Sequence, residues 1–273
     1  MFFKSYEPSV PLQLFIDEYI IIYSDENNDD PATDKFIPRL GEAMLFHFRD
    51  VSQILKDGRF VPFPRVFFLR QQKGYDYIEP GQNSDILIVR FKPGAIFQLF
   101  NISPLEFSFE YKDASLAYGN EVNILYELMA EEANIDNRIH HLESFFTGKR
   151  SSIIPSVKTE TVTKAVDLIM KRNGCITVSE LTSLLSVEER SLRRYFHYQV
   201  GISVKLFIRL VKFNNIILEL IKNPTTEMMD IVTKFGYFDQ THFINDFKDI
   251  YGETPFSFLK RDKQNAQIIS AIQ

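Results

Sequence analysis

The chain has 273 residues, enough for two domains of ordinary size. Hydrophobic residues make up 45% of it, which excludes a disordered chain, and a single cysteine, Cys175, excludes an intrachain disulfide or a thiolate zinc cluster. The net charge of −5 hides an asymmetry: residues 1–150 carry 15 Lys and Arg against 23 Asp and Glu, and residues 151–273 carry 16 against 13.

The halves therefore stand at −8 and +3, which is expected of two domains with different partners. The start of the chain has no apolar run with basic flanks, and nowhere do about 18 uncharged apolar residues run together. The expectation is a cytoplasmic protein with no membrane partner.

In chain order, Tyr19–Tyr23, Glu42–Phe48, Arg59–Phe68 and Asp85–Phe91 are rich in Ile, Val, Phe and Tyr and predict strands. Gly41, Gly58, Gly74, Gly81 and Gly94 break them, as do Pro38, Pro62, Pro64, Pro80 and Pro93. Short strands between turn signals predict a small barrel or sandwich filled by Phe46, Phe48, Phe67, Phe68 and Phe91. Asp25–Asp34 is acidic and polar and predicts a loop. Helical periodicity follows over Glu121–Ala133, with a stripe of Leu125, Leu128 and Met129. It continues over Asp136–Phe146, with Ile139, Leu142 and Phe146. Thr147–Ser156, with Gly148, three serines and Pro155, is the predicted boundary between a regulatory domain (1–150) and a second domain (151–273). The fold class expected is α+β: a β-rich N-terminal domain with helices, then an all-α domain.

From Val157 onward the pattern is helical. Thr177 and Glu180 have capping-box spacing, and Val178, Leu181 and Leu185 give the next helix an apolar face. A tight turn near Ser186–Val187 leads to a helix that buries Leu192 and Phe196. Its outer stripe carries Arg190, Arg193, Arg194 and His197 at i, i+3, i+4 and i+7. Three arginines on one stripe repel each other unless an anion is present; DNA supplies phosphates, and guanine O6 and N7 accept from Arg bidentately. About fifty residues on, the arrangement recurs. Met228, Ile231, Val232 and Phe235 mark a helix over Glu227–Phe235, Gly236 closes it, and Asp239 can cap the next. That helix buries Phe243, Phe247 and Ile250 and turns Gln240, Thr241, Asn245 and Lys248 outward. Gln and Asn suit adenine edges, and Thr can contact a base or a phosphate. Pro255 and Phe256, after Gly252, are expected to end the unit. One long helix, Val204–Ile221, links the two units.

Phe235–Leu259 (FGYFDQTHFINDFKDIYGETPFSFL) and the earlier SELTSLLSVEERSLRRYFHYQVGIS resemble the two helix-turn-helix units of the AraC/XylS family of transcriptional activators. The resemblance covers about a hundred residues. It implies a DNA-binding regulator that inserts two recognition helices into successive major-groove segments of double-stranded DNA. By matching positions it implies Arg190, Arg193 and Arg194 as contacts from the first helix, and Gln240, Thr241, His242 and Asn245 from the second. Thr182 stands where the family prefers Ala, Ser186 where Gly is usual, Glu188 where Ser is frequent, and Asn245 where Arg is common. Pro38–Phe48 (PRLGEAMLFHF) and Val89–Ser103 (VRFKPGAIFQLFNIS) resemble the little-characterised sensor-like domain that precedes this module in some members. Family sensor domains are often cupin-like barrels that bind an effector or dimerise. The resemblance thus admits a small-molecule effector, RNA polymerase and a second copy of the chain as partners.

Two rival classes are weighed. A metal enzyme needs several His or carboxylate ligands on one face; His140 and His141 point about 100° apart on a helix, and His47 between Phe46 and Phe48 reads as a hydrogen-bonded core residue. No Gly-rich phosphate loop or nucleophile elbow is present, so neither catalysis nor a cofactor or metal is expected. The other rival is a protein-interaction module on the same helical fold without DNA binding, against which the arginine stripe speaks.

Overall fold

The computed structural model describes residues 2–24, 34–36, 40–71, 76–107, 111–153, 156–223 and 227–262. Among these the strands are β1 (Phe2–Tyr6), β2 (Ile16–Tyr23), β3 (Asp34–Phe36), β4 (Glu42–His47), β5 (Gln53–Lys56), β6 (Arg59–Pro62), β7 (Val66–Leu69), β8 (Asp76–Glu79), β9 (Asp85–Phe91) and β10 (Tyr111–Asp113). The helices are α1 (Ala95–Phe100), α2 (Ala114–Tyr118), α3 (Asn120–Ala130), α4 (Ile135–Ser151), α5 (Val157–Lys171), α6 (Val178–Leu185), α7 (Glu189–Val200), α8 (Val204–Lys222), α9 (Met228–Lys234), α10 (Gln240–Tyr251) and α11 (Pro255–Asp262). A 3-10 turn, Pro104–Glu106, lies between α1 and β10.

All strand pairs are antiparallel and fall into two sheets, β1-β2-β9-β4-β7-β10 and β3-β8-β5-β6. β9 (DILIVRF) has neighbours on both edges and cover on both faces, so it reads as a nearly unbroken apolar run. Period two sends the adjacent Phe67 and Phe68 of β7 to opposite faces. Phe68 joins Phe46, Phe91, Leu125 and Phe146 in a core shared with α1, α3 and α4; Phe67 joins Ile54 and Phe63 in a smaller core between the sheets. The aromatic residues expected inside are buried there, Phe48 only partly.

Three expected strands are present, but Arg59–Phe68 is two strands. Pro62 and Pro64 remove ladder donors in its middle, and the chain passes there from the four-stranded sheet (β6) to the six-stranded one (β7). The expected loop 25–34 lies outside the described residues except Asp34, which opens β3. Leu125 and Met129 are buried as expected, whereas Leu128 is exposed, so α3 buries a narrower stripe. Gly148 and the residues up to Ser151 are helical, and α4 extends through the first half of the expected linker. Ser156 begins α5 by accepting from Thr159 N at 3.1 Å.

The α5–α11 segment shares one core, built on Ile169, Leu181, Leu192, Phe196, Phe207, Phe213, Phe243 and Phe247. Pro255 and Phe256 do not end the second unit: they start α11. Proline suits a first helical turn because its missing N–H would be unpaired there anyway.

Candidate nucleic-acid interface

The first unit is set by local chemistry. Thr177 Oγ1 accepts from Glu180 N at 3.2 Å while Glu180 Oε2 accepts from Thr177 N at 2.7 Å, the capping box read from sequence. Ser186 takes the left-handed conformation (φ 50°) that a glycine would adopt without strain, and Val187 N donates to Thr182 O at 3.1 Å to close the turn. Thr182, partly buried, returns its hydroxyl proton to Ser179 O at 2.9 Å, which is how a hydroxyl is accommodated in place of Ala. On α7, Leu192 and Phe196 are fully buried, while Arg190, Arg193, Arg194 and His197 all lie exposed on the opposite side. Glu189 holds Arg193 at 2.7 Å, and Arg194 lies over the Tyr195 ring at 5.1 Å. Glu188, at the cap of α7, makes no capping bond.

The second unit repeats the plan with different materials. Gly236 takes φ 75°, Tyr237 N donates to Val232 O at 3.0 Å, and Asp239 accepts from His242 N at 2.7 Å. Phe243, Phe247 and Ile250 are buried; Gln240, Thr241, His242, Asn245 and Lys248 are exposed. Gln240 Nε2 reaches Met228 Sδ at 3.4 Å, and the His242 ring meets Tyr237 edge-on at 5.3 Å. Phe213 of α8 is the hub: its ring lies 5.5–6.2 Å from those of Tyr237, Phe243, Phe247 and Tyr251.

Helix α8 carries both units. On the second side Arg209 pairs with Asp246 and reaches Asp249 at 3.4 Å, Tyr237 donates its hydroxyl to Asp246 at 2.9 Å, and Lys234 meets Glu219 at 3.0 Å. On the first side Phe207 packs on Phe196 at 5.4 Å. Gly174 (φ 72°) sits so close to α8 that a Cβ would lie 2.5 Å from Lys212 N.

Sequence reasoning missed a clasp between the halves. Ser103, buried just ahead of the 3-10 turn, donates its hydroxyl to Tyr198 O of α7 at 2.6 Å. Phe97 of α1 meets the Tyr198 ring edge-on at 5.4 Å. Gly201 (φ 83°) leaves room for Pro104, whose Cβ would stand 2.9 Å from a side chain there; Gly94 (φ 83°) faces Val200 and Gln199 O. The buried Glu42 of β4 accepts from Ile96 N at 3.0 Å, anchoring the start of α1 to the six-stranded sheet. Burial lifts its carboxyl to about 8, a rise that bonds from Ile96 and Gly94 only partly oppose. The only part of the clasp that sequence reasoning touched is Gly94, which reads there as a turn signal.

His47 is buried, stacks on Phe67 at 5.7 Å and lies 3.2 Å from Ser52 Oγ, as expected of a core histidine; burial drives its pKa down to about 4. His141 faces Glu132 at 3.5 Å. No group of three or more His, Cys, Asp or Glu arranged to hold a metal is found among the described residues, and no described helix is long and apolar enough to cross a membrane.

Residues 181–261 match a family described as a helix-turn-helix domain, and residues 4–111 match a domain of unknown function, DUF6597. No curated protein matches the chain. Solved structures similar to it include ToxT from Vibrio cholerae, at 12% identity over 94% of this chain and 97% of that one, with a TM-score of 0.46. ToxT from Vibrio cholerae O395 bound to (E)-4-(8-methylnaphthalen-1-yl)but-3-enoic acid is similar at 10% identity over 99% of both chains, TM-score 0.45. Unsaturated fatty acid bound wild-type ToxT from Vibrio cholerae strain SCE256 is similar at 12% identity over 94% and 93%, TM-score 0.41. The chain thus joins an N-terminal DUF6597 domain to a C-terminal helix-turn-helix domain of the AraC type, the make-up of a DNA-binding transcription regulator.

Proposed function

We propose that the protein regulates transcription by inserting α7 and α10 into two successive major-groove segments on one face of double-stranded DNA. Arg190, Arg193 and Arg194 act from the first helix, and Gln240, Thr241, His242 and Asn245 from the second. The observation that carries this reading is that both outward faces stand free while both helices are fixed to one linker, α8. Its 19 residues span about 28 Å at 1.5 Å each, which with the flanking turns suits one DNA repeat of about 34 Å. Residues 1–150 form the regulatory half and 151–273 the reading half. A small-molecule effector in the regulatory half, contact with RNA polymerase and pairing of two copies rest on the family resemblance.

Footprinting of the full chain tests the geometry. Protection of two major-groove segments about 10 base pairs apart by a monomer is expected. Protection of one segment would remove α10 as a reader. Ile216, fully buried in mid-α8, offers a second test: Ile216→Pro should uncouple the units provided circular dichroism shows retained helix. Full affinity and footprint in a folded Ile216→Pro protein would show that a rigid linker does not set the spacing. Binding that ignores salt would favour a protein-interaction module, because phosphate contacts make affinity fall steeply as salt rises.

A further inference from the structure

The two turns differ by one residue. In both, the residue after the left-handed position closes the turn through its N–H, Val187 to Thr182 and Tyr237 to Val232. From there the first unit reaches its cap at Glu188, whereas the second passes through Phe238 before its cap at Asp239. The added residue is a phenylalanine, and it is 90% exposed. A hydrophobic residue ahead of a helix cap commonly packs on the first turns of the helix. Here Tyr237 does that, edge-on to Phe243 at 5.4 Å, and Phe238 is left outside. Val187, by contrast, packs on the core.

An isolated exposed apolar side chain needs no explanation by itself. Phe238 acquires one from its place. It adjoins the end of α10 that carries Gln240, Thr241 and His242, all exposed, and recognition helices read bases with their N-terminal residues. That end has no Lys or Arg, whereas the first turns of α7 carry Arg190, Arg193 and Arg194. The apolar feature that the major groove offers is the 5-methyl group of thymine.

We propose that Phe238 is a specificity residue of the second unit, packing its ring on a thymine methyl at the edge of the groove segment read by α10. This rests on the reading of α10 as a recognition helix. The ring contributes nothing to the core, so Phe238→Ala should melt as the parent does. On the parent's preferred site, binding of the full chain is measured with each thymine in the α10 half replaced in turn by deoxyuridine, which lacks only the methyl. One replacement should weaken the parent about fourfold, the worth of one buried methyl-sized group. Phe238→Ala should weaken binding to the thymine site by a similar factor and be indifferent to that replacement, with an unchanged salt dependence.

Gln240→Ala and Asn245→Ala are the controls. If either weakens binding while Phe238→Ala binds as the parent does, the thymine contact is wrong and α10 still reads DNA. If neither weakens it, the reading of α10 fails and takes the proposal with it. Weaker binding by Phe238→Ala with no thymine whose replacement it masks would place the ring elsewhere on the duplex and overturn the assignment. So would parent-like DNA binding with loss of transcription in a purified polymerase system, which would turn the ring toward a protein.

Discussion

The two helix-turn-helix units share a plan and differ in what holds them and what they show. The first presents three arginines, packs largely through aliphatic side chains, and has the far end of its recognition helix gripped by α1 and Ser103. The second presents neutral polar groups and an exposed phenylalanine, and is organised by aromatic rings around Phe213 and by the ties of Arg209 and Lys234. One fold thus supports an arginine-rich helix face braced by another domain and a mostly neutral one braced by its own linker. Phosphate contacts anchor without choosing a sequence, and contacts to base edges, whether from arginine or from neutral groups, do the choosing. If α7 and α10 meet DNA as proposed, the first unit supplies most of the charge and the second reads chiefly through neutral groups.

The sharpest way to break this contrast is to remove the hub. Phe213→Ala should cost about 3–5 kcal/mol. Hydrogen exchange should show the loss in α10 while α7, held from the other side, keeps its protection. Equal loss in both helices would show that the units are not separately braced.

The bracing of the first unit is reached through Glu42. A carboxyl whose pKa is raised on folding gives its full stability below its unfolded value and loses it as pH rises through the folded one. The contribution of Glu42 should therefore fall between pH 4.5 and about 8, opposed up to pH 6.5 by the buried His47, whose lowered pKa makes stability rise with pH from about 4. The slope approaches about 1.4 kcal/mol per pH unit at its steepest. Melting curves of Glu42→Gln should lack this fall, and in the parent the loss of protection should be felt at the C-terminal end of α7 and not in α10. A parent profile that is flat above pH 6.5, where His47 no longer contributes a slope, would detach Glu42 from the clasp.

Arg193→Ala should weaken binding by about 1–3 kcal/mol and relax base preference at one position. Arg190 and Arg194, if they meet phosphates, should each lower the salt slope by about 0.9 when replaced by Ala. Gln240→Ala should alter base preference with the slope intact. Equal salt slopes for all of these variants would erase the division between charged and uncharged readers.

The smallest effect concerns the uncapped start of α7. Glu188→Ser supplies an N-cap oxygen and should stabilise by about 1 kcal/mol, raising the melting temperature by roughly 2–4 °C. Asp239 already caps α10, so Asp239→Ser should leave the melting temperature nearly unchanged.

Much of the second half was legible because its determinants are local. The Thr177–Glu180 box, the left-handed Ser186 and Gly236, the Asp239 cap and the buried stripes of α7 and α10 each lie within one or two helical turns. The Pro255 end was misread because proline both stops helices and starts them, and the choice depends on α11 packing Phe258 into the core. The first half was less legible. β3, β8 and β10 are short and pair with strands far along the chain, β3 with β8 and β10 with β7. Of the candidate interface, the outward residues were read from helical period, except His242, which came from the family resemblance. The clasp was not, because Ser103 and Tyr198 carry no local signal of each other.

The clasp also sets an order of events at the ribosome. Ser103 is made 95 residues before Tyr198, its partner. When α7 emerges, the surface that receives it has already been synthesised. The second unit is completed later: its hub Phe213 precedes Phe243 and Phe247, but the cluster reaches Tyr251 only some fifty residues after Tyr198, with Phe258 still to follow. At about 5–20 residues per second, that interval is roughly 3–10 s. During it, each nascent chain carries a seated arginine helix and an unfinished second reader. If the two helices meet DNA as proposed, such a chain holds a phosphate backbone before its second unit can add to the choice of sequence.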